Sequence, residues 1–210
     1  MHSTSTPSPV SALSAISTKH SIWGTSIRFT ILTTVLVGLG YPLLVTGIAA
    51  TLFHDKAAGS LVYKDGRKDG QIIGSELLAQ SFISDQYFHP RPSAAGNGYD
   101  ATSSGGSNLA QSNKALVDRI QGSIDKLQQE NPGKPVPIDL VTTSGSGLDP
   151  DITPDAAAFQ IPRVAKARGL SEDRIRQLID EHTTGRQIGL LGEPRVNVLD
   201  LNLALDSLSK

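Results

Sequence analysis

The chain has 210 residues, 38% hydrophobic and 19% charged, enough for one domain and an additional segment. Its 19 basic and 20 acidic residues leave no cationic excess from which a nucleic-acid-binding stripe could be built. The absence of cysteine excludes disulfide staples, thiolate metal sites and cysteine nucleophiles.

Residues 1–26 open the chain with a Ser-, Thr- and Pro-rich stretch of little apolar periodicity, read as a disordered tail. Phe29 to Phe53 then runs without a charge. At about 1.5 Å of rise per residue, a helix of this length crosses a ~30 Å hydrocarbon layer. Two other readings compete. A cleaved signal peptide needs a shorter apolar core and a small-x-small site, whereas Ile48 stands at the first small position before Ala50. A buried core helix would be unusual without any polar face. The expectation is a transmembrane helix over 27–54.

Lys19 and Arg28 precede this segment with no acidic residue before Asp55. The short positive flank places the N-terminus in the cytoplasm and the following domain outside it. Within the helix, Thr34 and Gly38, and Gly47 and Thr51, repeat small residues at a spacing of four, which lets another helix approach closely. Pro42 removes a backbone hydrogen bond and is expected to kink the helix.

Residues 55–210 are expected to form an extracytoplasmic mixed α/β (α+β) domain, with 17 basic and 20 acidic groups. Leu61–Tyr63 and Gln71–Ile73 flank Asp-Gly turn signals and read as a β-hairpin. Ser75 is expected to cap a helix through about Phe82. Tyr87 to Asn108, rich in Pro and Gly, reads as a long loop, which in compact domains is usually functional. Asn108 is expected to cap a helix whose apolar face carries Leu109, Leu116, Ile120, Ile124 and Leu127 and which ends at Asn131-Pro132-Gly133. Leu140–Thr143 reads as a strand. Thr153, with Pro154 behind it, caps a helix to Arg168 that stops at Gly169. Ser171 caps another to about His182. Val196–Leu199 reads as a last strand, and Leu201–Leu208 as a closing helix.

Two segments carry polar groups that invite a chemical reading. Ser104, Gly105, Gly106, Ser107 and Asn108, placed at an expected helix start, could present N–H groups to the phosphates of a nucleotide. The run weakly resembles the serine-glycine-glycine signature of transport ATPases, but it lacks the Gly-Lys-Ser/Thr ending of a phosphate loop and equally suits a structural turn. Ser144 and Ser146 lie beside Asp149 and Asp151, where a hydrolase would need a nearby base. His2 and His20 are in the tail, His54 abuts the membrane segment, and His89 and His182 stand in polar surroundings. Two carboxylates are too few for a cation site, and a tight turn suits the segment. Arg163, Arg168, Arg174 and Arg176 read as solvated faces or ion-pair partners. No catalytic residue and no metal ligand emerges.

Taken in order, Gln80-Ser-Phe82, Tyr87-Phe88, Arg91-Pro-Ser93, Tyr99-Asp100, Ser104-Gly-Gly-Ser-Asn-Leu109, Ser144-Gly-Ser-Gly-Leu-Asp-Pro150, Gln160, Arg163-Val-Ala, Ala167-Arg-Gly169, Gly192-Glu-Pro and Val196-Asn-Val-Leu resemble one family. It is the C subunit of the Kdp-type high-affinity potassium-transporting ATPase. Tyr41-Pro42 in the hydrophobic segment fits as well, and the resemblance covers about residues 27 to 206. It implies a non-catalytic subunit that joins a channel-like potassium-binding subunit, an ATP-hydrolysing P-type subunit and a small membrane subunit. The family role it implies is to stabilise assembly, and to act as a catalytic chaperone that raises the ATPase subunit's affinity for ATP. No tightly bound cofactor is implied, ATP being met only together with the ATPase subunit. An extracytoplasmic domain cannot touch cytoplasmic ATP, so any such effect has to pass through the membrane helices.

Overall fold

The computed structural model describes residues 22–66 and 70–208. The chain divides after Ala57 into two compact units.

The first unit holds the apolar helix, continuous from Ile22 to Leu52. It comprises α1 (Ile22–Thr33), a π turn (Thr34–Gly40) and α2 (Tyr41–Leu52), followed by the single turn α3 (His54–Ala57). The helix thus starts inside the stretch expected as tail. Residues 1–21 lie outside the described residues. The buried-core reading does not hold, because no residue of α1, the π turn or α2 is buried. Pro42 has no N–H to give to Gly38 and its ring crowds that carbonyl. The helix accommodates it by widening beforehand: the Tyr41 N–H reaches back five residues to the Leu36 carbonyl.

The second unit opens with the expected hairpin, β1 (Leu61–Tyr63) antiparallel to β2 (Ile72–Ser75), Leu61 facing Ser75. Part of its turn, residues 67–69, lies outside the described residues. The helix expected after Ser75 does not form. The Ser75 hydroxyl donates to the Gly59 carbonyl (2.7 Å) and accepts from the Leu77 N–H (3.1 Å), closing a local turn that competes with a helix cap. The chain then runs without a regular element to α4 (Lys114–Glu130). Asn108 is not its cap. It sits at φ 51°, whereas an N-cap needs extended backbone, which Asn113 supplies at φ −78°, ψ 121° while accepting from the Ala115 N–H.

No strand forms at 140–143. Ile138–Leu140 make a 3₁₀ turn, and the Thr142 hydroxyl donates to the Ile138 carbonyl (2.8 Å). Buried Asp139 accepts from both the N–H and the hydroxyl of Thr153, so the β-branched run is pinned where it turns. β3 (Asp151–Ile152) leads into α5 (Pro154–Arg168), capped by Thr153 and ended by Gly169 at φ 66°. Next come α6 (Glu172–Glu181), β4 (Thr183–Thr184), β5 (Arg195–Asn197) and α7 (Val198–Leu208). The strand expected to reach Leu199 stops at Asn197, whose side chain accepts from the Asp200 N–H and so starts α7 early. β3, β5 and β4 form a three-stranded antiparallel sheet in that order.

The core lies where α5, α6, α7 and β5 meet, with Ile161, Val164, Ile175, Val196, Leu201 and Leu205 fully buried. Two buried amides tie the long irregular segment to it. Asn202, on α7, accepts from the Phe88 N–H (2.8 Å) and donates to the Phe88 carbonyl (3.0 Å). Gln160, on α5, does the same for His89, at 2.8 and 3.1 Å. Each amide pairs with one peptide unit as a neighbouring strand would, and Phe88 can then bury completely. Arg163 adds hydrogen bonds to the carbonyls of Asp85 and Tyr87. Arg168 donates to the Gln86 carbonyl and to Asp206 and lies 4.9 Å over the Tyr87 ring.

Asn202→Leu, close in volume, leaves both Phe88 backbone groups buried and unpaired. The expected loss is about 2–4 kcal/mol. Gln177→Leu, on the exposed face of α6, should stay within about 0.5 kcal/mol. Denaturant titration of the full chain in detergent, followed by far-ultraviolet circular dichroism, checks both.

Candidate functional site

The two segments singled out in the sequence come together. Ser144–Gly147 closes a tight turn through the Gly147 N–H and the Ser144 carbonyl (3.3 Å). Against it lies the start of the 104–108 run: the Gly105 N–H and the Ser104 hydroxyl both donate to the Ser146 carbonyl, at 2.8 and 3.0 Å. Gly106 faces the same turn, where a Cβ would stand 3.2 Å from the Gly145 carbonyl oxygen. Ser93 clamps the other side, donating to the Gly147 carbonyl (2.6 Å) and accepting from the N–H groups of Ala95 and Tyr99. The Tyr99 hydroxyl closes the frame on the Arg91 carbonyl (2.8 Å), and burial pushes its phenol pKa up.

This arrangement alters the premise for an anion cradle at Ser104–Asn108. No helix starts there, so no helix dipole is focused on the run, and the Gly105 N–H is already engaged. Ser144 and Ser146 have their hydroxyls 3.4 Å apart, and Ser146 accepts from the Leu148 N–H. Among the described residues neither is hydrogen-bonded to a histidine. The carboxylates diverge to separate arginines, Asp149 to Arg91 (2.9 Å) and Asp151 to Arg195 (3.0 Å). Burial nevertheless pushes the Asp151 pKa up. No group of three or more His, Cys, Asp or Glu side chains suited to a metal occurs among the described residues.

The arginines divide between the two roles expected of them. Arg163 approaches Glu130 (3.4 Å) and Arg168 pairs with Asp206 (2.7 Å), both as braces of the loop. Arg174 bonds Gln177 along the exposed face of α6, while Arg176 lines a groove. That groove, about 670 Å³, was not legible in the sequence. Its wall is the irregular 131–139 connection, where Lys134, Val136 and Ile138 face Phe159 and Pro162 of α5.

His89 proves less polar in its surroundings than its sequence neighbours suggested. It lines a cleft of about 290 Å³ with Phe82, Ile83, Pro90, Pro92 and Leu127. Burial lowers its pKa and the Arg163 charge adds to that, against the Ser84 carbonyl, Glu130 and Asp85.

Of the expected helix contacts, Thr34 and Gly38 fall within the π turn, and Pro42 is near the start of α2. Gly47 has open space around it, and the Thr51 hydroxyl is bonded to the Gly47 carbonyl (2.9 Å).

Two outcomes follow from this geometry. Gly147 holds φ 68°, and a Cβ there would lie 2.6 Å from the Gly105 oxygen and 2.7 Å from the Ala95 nitrogen. Gly147→Ala should therefore cost about 3 kcal/mol or more. Gly145→Ala, with nothing within 4 Å, should be tolerated, and thermal melting of the two variants separates them. His89 supplies the second. Its folded-state pKa lies below the ordinary 6.5, so the unfolded chain binds the proton more readily. Stability is intact above pH 6.5 and falls as pH drops from there through the folded-state value. The slope contributed is at most about 1.4 kcal/mol per pH unit, and His89→Gln should remove it from a melting series between neutral and mildly acidic pH.

Residues 23–207 match the family model described as K+-transporting ATPase, c chain. The chain is 56% identical over 182 residues to the potassium-transporting ATPase KdpC subunit of Koribacter versatilis, covering 87% of this chain and 92% of that protein. It is 56% identical over 186 residues to the KdpC subunit of Rhodopseudomonas palustris strain BisB18, covering 83% and 92%. For the KdpC subunit of Acidobacterium capsulatum the identity is 55% over 185 residues, covering 88% and 97%. With a matching family model that spans nearly the whole chain, the protein belongs to the KdpC family, the C subunits of potassium-transporting ATPases.

Proposed function

We propose that this subunit is a non-catalytic assembly factor. In this reading Ile22–Leu52 anchors it in the bacterial inner membrane, with the second unit outside the cytoplasm. Its partners are a channel-like potassium-binding subunit, a P-type ATP-hydrolysing subunit and a small membrane subunit, and it holds the first two together. The observation that carries the reading is how the polar side chains are used. Asn202, Gln160, Ser93, Arg163 and Arg168 hold a long irregular surface in one conformation. A rigid surface loses little conformational entropy on docking, the property a scaffold needs.

Any rise in ATP affinity is then a coupling across the membrane. The subunit binds more tightly to the pump state that also favours ATP, and a coupling of about 1–3 kcal/mol gives a 5- to 150-fold change. Thr34, Gly38, Pro42, Gly47 and Thr51 are the helix positions through which a neighbouring helix would sense it. No tightly bound cofactor belongs to this reading. Contact of Ser104–Asn108 with a nucleotide would require the domain to face the cytoplasm.

The membrane side decides between the two. The chain has no native cysteine, and Gln128 stands exposed on α4, so Gln128→Cys introduces one label site. An impermeant maleimide should label it in spheroplasts, and the labelled chain should co-purify with the other pump subunits. Labelling only after the membrane is lysed would overturn the external scaffold and favour direct nucleotide contact.

A further inference from the structure

One wall of the His89 cleft is held far less firmly than the others. α4 lines it with Ser123, Lys126, Leu127 and Glu130, and α5 with Gln160. Seven residues of α5 are buried, whereas none of α4 is. Among the described residues, the side-chain hydrogen bonds of 113–126 stay local: Asn113 with Ala115, Lys114 with Asp118, Gln121 with Asp125 and Ser123 with Arg119. The ties of α4 to the rest of the domain gather at its end. Leu127 packs on the core, Glu130 lies 3.4 Å from Arg163, and the Asn131 amide donates to the Phe159 carbonyl (3.0 Å). Gly133, at φ 78° with open space around it, then turns the chain. Elements with so little buried surface open locally at low cost.

His89 itself is fixed. Gln160 holds both its N–H and its C=O, and Gln160 is held in turn by Arg163 (2.6 Å) and the Ala156 carbonyl (3.2 Å). In the ring, Nε2 lies 3.2 Å from the Ser84 carbonyl, which can only accept. The neutral ring therefore carries its proton on Nε2, and a second proton goes to Nδ1. Arg163, donating to the Asp85 and Tyr87 carbonyls, cannot swing away from the resulting imidazolium. The other charged groups around the ring are Lys126 and Glu130 from α4 and Asp85 from its own segment. Burial keeps the Tyr99 phenol neutral, and Arg91 is paired with Asp149. Burial and the Arg163 charge disfavour the charged ring and outweigh the Ser84 carbonyl, Glu130 and Asp85.

We propose that α4 is a pH-sensitive lid, hinged at residues 131–133, that lifts from the cleft when the His89 ring takes up its second proton. The His89 peptide and Arg163 cannot yield, so relief comes from the wall that can, and water enters to hydrate the imidazolium. The open form binds the proton more readily than the closed one, so acid shifts the population toward it. Above pH 6.5 the lid is indifferent to pH. Below it the opening constant rises, by at most tenfold per pH unit, as pH falls through the closed-state value. With the second unit outside the cytoplasm, as proposed above, the proton would be that of the medium, but the switch itself does not depend on that reading.

Hydrogen exchange of the full chain in detergent, read by mass spectrometry from neutral to mildly acidic pH, tests it. After correction for the intrinsic pH dependence of exchange, amides of α4 should lose protection on acidification while those of α5 and α7 keep theirs. His89→Gln should flatten the α4 profile, and His182→Gln, which removes the histidine paired with Asp200, should leave it unchanged. Should His89→Gln fail to fold, the imidazole resonance of His89 in the wild-type chain decides, its titration midpoint being expected to coincide with that of α4 opening. Protection of α4 that is independent of pH, or that increases through a new His89–Glu130 pair, would overturn the lid. So would loss of protection in α5 and α7 in step with α4, which would mark global unfolding, or a His89 midpoint apart from that of α4.

Discussion

Two side-chain amides, on Asn202 and Gln160, do for residues 88 and 89 what a sheet would otherwise do. The segment from Glu76 to Asn113 has no regular element of its own, yet it contributes fully buried Phe88 and Ala95. Peptide units can be buried only if their N–H and C=O groups are paired. Each of these amides supplies a donor and an acceptor at once, spaced to match one peptide. With that pairing in place, α5 and α7 become a template on which the loop is laid. The carbonyls of residues 85–87 then fall within reach of Arg163 and Arg168.

The same economy extends to the second brace. The turn at 144–147 can meet the 104–106 strip closely because Gly147 adopts a left-handed conformation and Gly106 has no Cβ. Ser93, Ser104 and Ser146 bind the two strips through carbonyls and N–H groups. Serines and carboxylates close together resemble a reactive centre on paper. In the folded chain they form a frame, the acids facing arginines and the hydroxyls facing backbone. A frame of this kind fixes a surface, in keeping with the role proposed for this subunit.

The two units solve opposite problems. In the apolar helix the backbone hydrogen bonds run along the segment itself, no side chain of it is buried in the chain, and Pro42 is accommodated by a π turn. In the second unit the regular elements are short, and stability is gathered at one core between three helices and a three-residue strand. The arm at 185–194 is the exception to this economy, with its apolar groups outward on a strained turn.

Local chemistry alone determined the uncharged helix, the Thr153–Gly169 and Ser171 helices with their caps, the loop character of 87–108 and the family. Each depends on near neighbours or on long periodic stretches. The sequence erred where two local options compete and a distant group chooses. Ser75 bonded Gly59 in preference to capping a helix, and Asn113 displaced Asn108 because only Asn113 lies in extended backbone. Asp139 turned a β-branched run by binding Thr153, and Asn197 ended β5 by capping α7. Two-residue strands such as β3 and β4 have no pattern to read at all. The site followed the same division: its residue types were visible beforehand, but the pairing of 104–106 with 144–147 exists only in three dimensions. Hydrogen bonds between residues about forty positions apart leave no periodic trace in a chain, and tertiary structure alone decided them.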